Sequence, residues 1–336
     1  MKALVVGQSK YSITAVTNKF DGSKDENEFT EIYENGSGSA ANVAYLLGKF
    51  GMETYLGSVV GDDTFGQSIK KELESVGVHT EYMETAFERR TNMALTIISK
   101  EDKRKIVNNF NKEKMVLKKS EFQTPPDYIY IDGYDYGASL SALNKYSSVP
   151  SIIGATKCDK EIFELCKYCN YIIASKEFAE WVTNSKIDFN NPGSLVTVYS
   201  ALLNKLVKKE IIITLGEKGS LYIANNQIKV MPALKIDVLD QSGSGDFFRA
   251  AFIYALSQNY DIEKTVTFAN IAGGLATGKV GTRESAPEMS DIMQYFNQKY
   301  GEVKPATEDA ASTDSQTTDA AAPAEAPSTN EESSNK

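Results

Sequence analysis

The sequence predicts an α/β protein built on a mostly parallel sheet flanked by helices, with a small β-lid and a disordered C-terminal tail. Three observations carry that expectation. Short apolar runs, "YIYIDG" (128–133), "SIIG" (151–154), "YIIAS" (171–175) and "EIIITLG" (210–216), alternate with helical stretches, the rhythm of parallel strands joined by crossover helices. Four polar strand-like segments before residue 110 do not share that rhythm and suggest a separate small sheet. From Val303 on, the chain is dominated by Ala, Thr, Ser, Glu, Asp and Pro and has no aromatic residue. Such a composition cannot bury enough apolar surface to offset the entropy of ordering.

Taken in order, "KALVVG" (2–7) reads as a buried first strand. Residues 11–17 and 28–34 read as strands of a polar, partly exposed lid, with "DGSKDEN" (21–27) as the turn region. In "SAANVAYLLGKFG" (39–51), Val43, Leu46, Leu47 and Phe50 fall on one face of a helix, and Gly51 is a fitting stop. "ETYLGSVVG" (53–61) is a strand, after which Asp62 or Asp63 can cap the helix "TFGQSIKKELESVG" (64–77). Residues 91–98 and 104–108 supply two further lid strands. The expected organisation is one domain over 1–302, with its lid drawn from about 9–35 and 88–110, followed by an acidic tail over 303–336. No internal repeat is visible.

An apolar content of 41% and a charged content of 24% are those of an ordinary globular protein. The net charge is −9, and residues 303–336 hold seven acidic side chains against two lysines. No basic run or basic–aromatic patch is present, which argues against a nucleic-acid partner. "MKALVVGQSKY" has too short an apolar run for a signal peptide, and no stretch is long enough to span a membrane. Cys158, Cys166 and Cys169 make no disulfide framework. Cys166 and Cys169 form one CxxC, but a zinc site needs a second ligand pair, and the single histidine is His79 in the turn-like "VGVHT". Ordinary thiols and a cytoplasmic location are expected.

Three glycine-rich segments compete as functional signals. "GSGSAA" (36–41) matches the dinucleotide-binding pattern G-x-G-x-x-A ahead of a helix. The preceding "TEIYEN" is a polar lid-like strand, however, and the next strand ends without a ribose-binding acid. "GGLATGKV" (273–280) misses the phosphate-loop pattern at Val280, which has no hydroxyl for magnesium, and follows a helical stretch where a P-loop follows a strand. "GSGD" (243–246) has the right setting, a glycine loop running into the strong helix "FFRAAFIYAL". Unpaired N–H groups at such a start attract anions. Yet Asp246 places a fixed negative charge there. Its bland reading is a helix cap, with the carboxylate bonding the free N–H groups.

Together these segments resemble the ribokinase-like (PfkB) carbohydrate and nucleoside kinases, over about Lys2 to Tyr300. "GSGSAANVAYLLGKFGMETYLGSVVGDDTFG" is similar to the family's N-terminal signature and "DQSGSGDFFRAAFIYAL" to its C-terminal one. "IIITLGEKGSLY" resembles its nucleotide-side strand and turn, and "FANIAGGLATGKVGTRESAP" its closing adenine-side segment. The resemblance implies an ATP-dependent enzyme, using Mg2+, that phosphorylates a small sugar or nucleoside. It implies that the N–H groups of Gly243, Ser244 and Gly245 form an anion hole for the transferred phosphoryl group, with Asp246 as the base. Glycines there let the backbone approach phosphates closely. Gly38 and Asn42 match positions that contact acceptor hydroxyls; a helix-start cap is the other reading of Asn42. Thr214, Gly216 and Gly219 match the nucleotide-side turn, and Asn270 an asparagine near adenine and ribose. Asp240 and Ser242, with Gly281 and Ser285, resemble the K+-binding loops of some relatives, although a hydrogen-bonded loop aspartate accounts for Asp240 equally well. Lid strands of relatives often pair between subunits, so the resemblance also implies a homodimer through the lid.

Several positions depart from the family pattern. Ser12 stands where an acceptor-gripping aspartate is usual, and the paired glycines before the asparagine are Ser37 and Gly38. The Asn-x-x-Glu motif that helps organise magnesium falls at Ser175 and Phe178, with Glu177 close by. These departures leave open a second function, a catalytically weak paralogue that binds a ligand or a protein partner. The third class, a nicotinamide oxidoreductase, rests on "GSGSAA" alone.

Overall fold

The apolar runs form one central sheet. In the computed structural model, which describes residues 1–101, 104–110, 114–119, 121–207 and 209–301, the chain begins with β1 (Lys2–Val6) and passes into the lid through β2 (Lys10–Thr17) and β3 (Glu31–Ser37). It returns through α1 (Ser39–Lys49), β4 (Glu53–Gly61), α2 (Thr64–Ser75), β5 (Val78–His79) and β6 (Met83–Ala86). A second excursion adds β7 (Met93–Ser99) and β8 (Arg104–Phe110) to the lid. Then follow β9 (Tyr128–Ile131), α3 (Tyr136–Lys145), β10 (Ser151–Ala155), α4 (Lys160–Cys166), β11 (Tyr171–Ser175), α5 (Lys176–Thr183), α6 (Pro192–Lys205) and β12 (Glu210–Thr214). β13 (Ser220–Ala224), β14 (Gln227–Met231), α7 (Ser244–Ser257), α8 (Ile262–Leu275) and α9 (Met289–Tyr300) complete the domain. The tail expected over 303–336 lies outside the described residues.

The strand order of the central sheet is β14–β13–β12–β11–β10–β9–β1–β4–β5, with β6 against β4. Pairing is parallel from β12 to β5 and antiparallel at the β13–β14 edge. Strands covered on both faces need continuous apolar runs, and Leu4, Val5, Val6, Ile129, Tyr130, Ile131, Ile152 and Ile153 are all buried. The order reverses between β1 and β9: β4 follows β1 on one side, and the second run of strands starts on the other. In open α/β sheets the crevice at the carboxyl ends of strands flanking such a reversal is where ligands bind.

The lid has the order β3–β2–β7–β8, with β2 antiparallel to β3 and parallel to β7. It departs from the expectation in two ways. β2 is mostly buried, with only Lys10 and Ile13 partly exposed, because it is a central strand packed on the body; Tyr11 meets Phe65 of α2 with ring centroids 4.6 Å apart. β3 runs past its expected end because Gly36 and Ser37 still pair with Tyr11 and Lys10. The first residues of "GSGSAA" therefore belong to the lid, not to the central sheet. "GGLATGKV" is the end of α8 followed by a single 3-10 turn over Ala276–Gly278, so no strand precedes it.

Asp63 caps α2 by accepting from Gly66 N–H at 2.9 Å. Cys166 and Cys169 are buried free thiols, and Cys158 is exposed. His79 stacks on Tyr55 at 4.4 Å. Among the described residues no group of three or more His, Cys, Asp or Glu could hold a metal ion, and no helix is long and apolar enough to cross a membrane.

Candidate active site

The glycine-led loop delivers an open helix start. Gly243, the N-cap of α7, sits at φ 77°, where glycine goes without strain. No side chain caps this helix. Ser244 N–H donates to Gln241 O at 3.4 Å, whereas the N–H groups of Gly243 and Gly245 meet no protein acceptor among the described residues. These donors lie at the positive end of a 14-residue helix.

The Asp246 carboxylate does not serve them, so the bland reading of a cap fails. It points across to α1. Its Oδ1 accepts from Ser39 Oγ at 2.8 Å and from the Arg249 guanidinium, and its Oδ2 accepts from Asn42 Nδ2 at 2.7 Å. The side chain keeps 14% of its surface exposed, enough to meet a ligand. Nor is Asn42 a cap, because α1 starts at Gly38 with no side-chain cap bond. Asn42 Oδ1 accepts from Arg283 Nη1 at 3.2 Å, which leaves its amide NH2 facing Asp246.

Arg283 is buried between elements. Its Nε donates to Glu72 Oε1 at 2.6 Å, and its guanidinium lies 4.3 Å from the centre of the Tyr45 ring. Burial pulls its pKa below the usual arginine value, against the attraction of Glu72. Glu72 Oε2 in turn accepts from Gly36 N–H at 2.7 Å. A hydrogen-bonded chain thus runs from lid strand β3 through Glu72, Arg283 and Asn42 to Asp246.

Gly38 and Asp132 meet the β1–β2 loop beside the switch point. A Cβ on Gly38, at φ 104°, would lie 2.5 Å from Gln8 O, so close contact between the β1–β2 loop and the start of α1 requires glycine there. Asp132, just past β9, is buried. Its Oδ2 accepts from the N–H groups of Gln8 at 2.9 Å and Ala40 at 3.2 Å, and its Oδ1 from Tyr134 N–H at 2.8 Å. Burial raises its pKa despite these donors. Ser12 is buried in the lid, in register with Asn35 and Ala94. Asn35 Nδ2 donates to Glu284 Oε2 at 2.7 Å, fastening the lid to the 281–285 loop.

The expected nucleotide-side residues form a second group. Thr214 ends β12 and donates to Ala174 O at 3.2 Å. Gly216 and Gly219 bracket a 3-10 turn closed by Leu215 N–H to Gly219 O at 2.7 Å. Asn270 Nδ2 donates to Pro232 O at 2.6 Å, tying the segment after β14 to α8. That helix abuts the start of α7, since a Cβ on Gly273 would lie 3.1 Å from Ser244 O. Asp240 Oδ1 accepts from Ser242 N–H at 2.9 Å and Ser242 Oγ at 2.8 Å, and its Oδ2 from Gly281 N–H at 3.3 Å. Those contacts are what a bonded loop aspartate makes. Ser175 caps α5 through Phe178 N–H at 3.1 Å, and Phe178 is fully buried. A cavity of about 430 Å³ lies between the lid and the 278–284 segment, lined by Val16, Tyr33, Ile98, Lys100 and Lys279 among others. It contains none of the expected site residues, so the site is located by its chemistry and not by open volume.

Sequence reasoning missed Ser39, Asp132, Arg249 and Arg283. Arg249 left a readable signal, a lone cation in an apolar helix three residues after an acid. Asp132 lay unremarked in the strand run "YIYIDG", while Arg283 reaches the site only through tertiary packing.

The chain is similar to several known proteins. The chain is 25% identical over 309 residues to ribokinase of Bacillus subtilis (strain 168), covering 87% of this chain and 98% of that protein. It is also 25% identical over 320 residues to deoxyribokinase of Salmonella typhi, covering 88% and 99%. Among solved structures, that of Arabidopsis thaliana ribokinase complexed with ribose and ATP superposes with a TM-score of 0.73 at 18% identity, covering 88% of this chain and 98% of that one. A family model, described as pfkB family carbohydrate kinase, matches residues 1–289, and the chain belongs to that family of kinases.

Proposed function

We propose that the protein is an ATP-dependent kinase that phosphorylates a hydroxymethyl group of a small sugar or nucleoside, with Asp246 as the base and the start of α7 as the anion hole. One observation carries the reading: the glycine-led helix start is uncapped, while the carboxylate that could have capped it is held beside it by Ser39, Asn42 and Arg249. ATP as the donor is supported by the ribose and ATP complex of the Arabidopsis ribokinase.

In this reading the acceptor lies at the β1–β9 crevice, touching Gly38 and Asn42, and the nucleotide runs from the start of α7 towards Thr214, Gly216, Gly219 and Asn270. The acceptor hydroxyl gives its proton to Asp246 as its oxygen bonds to the γ-phosphorus, and the bond to the β-phosphate oxygen breaks to release ADP. An aspartate is a weak base for an alcohol, so proton transfer accompanies phosphoryl transfer, and positioning with electrostatic stabilisation supplies most of the acceleration. The N–H groups of Gly243 and Gly245 face the charge that develops on the phosphoryl oxygens. Mg2+ commonly keeps its waters and binds through substrate phosphates with one or two carboxylates, and here it would neutralise phosphate charge. K+ draws only on the sequence resemblance, because protein donors already engage Asp240. Ser12 offers the acceptor a hydroxyl and no carboxylate, and the carboxylate of Asp132 is already engaged by three backbone N–H groups.

The test is ADP release with magnesium-ATP across sugars, sugar phosphates and nucleosides. Turnover on at least one acceptor, lost in Asp246→Ala, is the expected result. A second reading, a ligand- or protein-binding paralogue with little turnover, draws on Ser175 and Phe178, which serve as helix cap and core where a magnesium-organising pair would stand. Nucleotide binding without ADP release on any acceptor would favour it.

A further inference from the structure

Asp246 is the third residue of α7 after the N-cap Gly243. From that position an acidic side chain ordinarily folds back onto the N-cap N–H, closing a capping box. Such a bond would fill the anion hole with the protein's own carboxylate. The fold prevents it with three donors, two from α1 and one, Arg249, from the next turn of α7. Arg249 is the only charged member and is 5% exposed. A niche is built for it. A Cβ on Gly154 of β10 would lie 2.8 Å from Arg249 Cδ and 2.4 Å from Tyr130 Oη, so any larger residue there would displace the arginine. On its other side the guanidinium lies against the hole itself, with Nη1 3.4 Å from where a Cβ on Gly245 would stand. Burial works against its charge, Tyr130 and Asp246 work for it, and its pKa is raised on balance.

We propose that Arg249 is a positioning residue that holds the Asp246 carboxylate off the N–H groups of its own helix and so keeps the anion hole free for the nucleotide phosphates. The inference rests on the kinase reading above. It explains how a carboxylate and an anion hole coexist within one helical turn: the carboxylate is tethered away from donors it would otherwise take.

The test is ADP binding by calorimetry on the full chain, which needs no acceptor. Arg249→Met should weaken ADP about tenfold, the effect of a competing cap of about 1.4 kcal/mol. With Asp246→Ala present there is no carboxylate to fold back, and the same Arg249→Met change should then cost no more than twofold. Equal losses in both backgrounds would mean that the arginine attracts the phosphates directly, and would overturn the proposal, as would wild-type affinity in Arg249→Met. Should Arg249→Met fail to fold, Ser39→Ala removes one tether without changing charge. It should weaken ADP two- to threefold only when Asp246 is present, and an unchanged affinity rejects the idea. A wild-type protein that binds neither ADP nor ATP refutes the kinase reading itself, a result distinct from loss of the coupling between Arg249 and Asp246.

Discussion

Asp246 has two competing uses, as a cap for its own helix and as a group facing the pocket, and the donors around it select the second. Asp246→Asn keeps its shape but removes the proton acceptor. Turnover on an identified acceptor should fall by about 10²- to 10⁴-fold, with ADP affinity unchanged or slightly tighter. A variant retaining more than half the rate would show that another group takes the proton. Ser12 offers a complementary test. It is buried opposite Asn35 and Ala94 in the lid, and a neutral hydrogen bond contributes about 1 kcal/mol where one to a charged group contributes roughly 1.5–3. Ser12→Asp should therefore tighten binding of a diol-bearing sugar or nucleoside about tenfold, read by calorimetry; weaker binding would show that other groups already fill the acceptor's needs. At this scale, what was legible was what is contiguous. Gly38, Asn42, Gly243 and Asp246 sit in two short signatures, whereas Glu72, Asp132 and Arg283 are ordinary residues in the sequence and become site residues only when distant elements meet.

Elements were legible where one force dominated them. The apolar runs of β1 and β9 to β12 read as buried strands, and an aspartate ahead of a periodic segment, Asp62 or Asp63, read as the cap of α2; the structure selects Asp63. The lid was harder, because the parallel pairing of β2 with β7 joins two excursions of the chain that no local pattern links. α5 shows an element whose side chains serve stability. Ser175 caps it, Phe178 fills the core, and Glu180 on the next turn is buried with three partners: Lys176 Nζ at 2.9 Å, Lys186 Nζ at 2.8 Å and Ile187 N–H at 2.9 Å. Burial raises the pKa of Glu180, but these three donors outweigh it and bring it from the ordinary 4.5 down to about 2. A carboxyl depressed in the folded state contributes stability above its unfolded pKa, and that contribution fades as pH falls towards the folded value. Glu180→Gln should thus cost on the order of 2 kcal/mol at pH 7, allowing for the exposed Lys186. The gap to wild type should close between about pH 4.5 and pH 2. Urea melts of both proteins across that range would decide; a gap of constant size would place the cost in packing and not in charge.

For the molecule as a whole, the arrangement of the sheet and the two excursions that build the lid converge on one crevice. The β1–β9 reversal brings Asp132, Gly38 and the start of α1 together, and α7 brings its uncapped start to the same place. Whole-molecule class was legible because strand and helix alternate so regularly; three glycine motifs competed for the ligand, and their placement in the fold agrees with the sequence context that set two of them aside. "GSGSAA" begins in the lid and "GGLATGKV" ends a helix, which leaves "GSGD" at the start of α7, beside the start of α1. Ligand-dependent stability turns that placement into a measurement. A ligand that binds only the folded chain stabilises it by about 2.7 kcal/mol at a hundredfold excess over its Kd, which for a chain of this size raises Tm by several degrees. ADP and ATP should each produce such a rise, and NAD should produce none. Arg249→Met should shrink the ADP shift, and adding Asp246→Ala should restore it. A rise with NAD alone would move the site from α7 to the start of α1 and end the kinase reading. A rise with ADP, with no acceptor yielding ADP release, would leave a nucleotide-binding paralogue whose chemistry has lapsed.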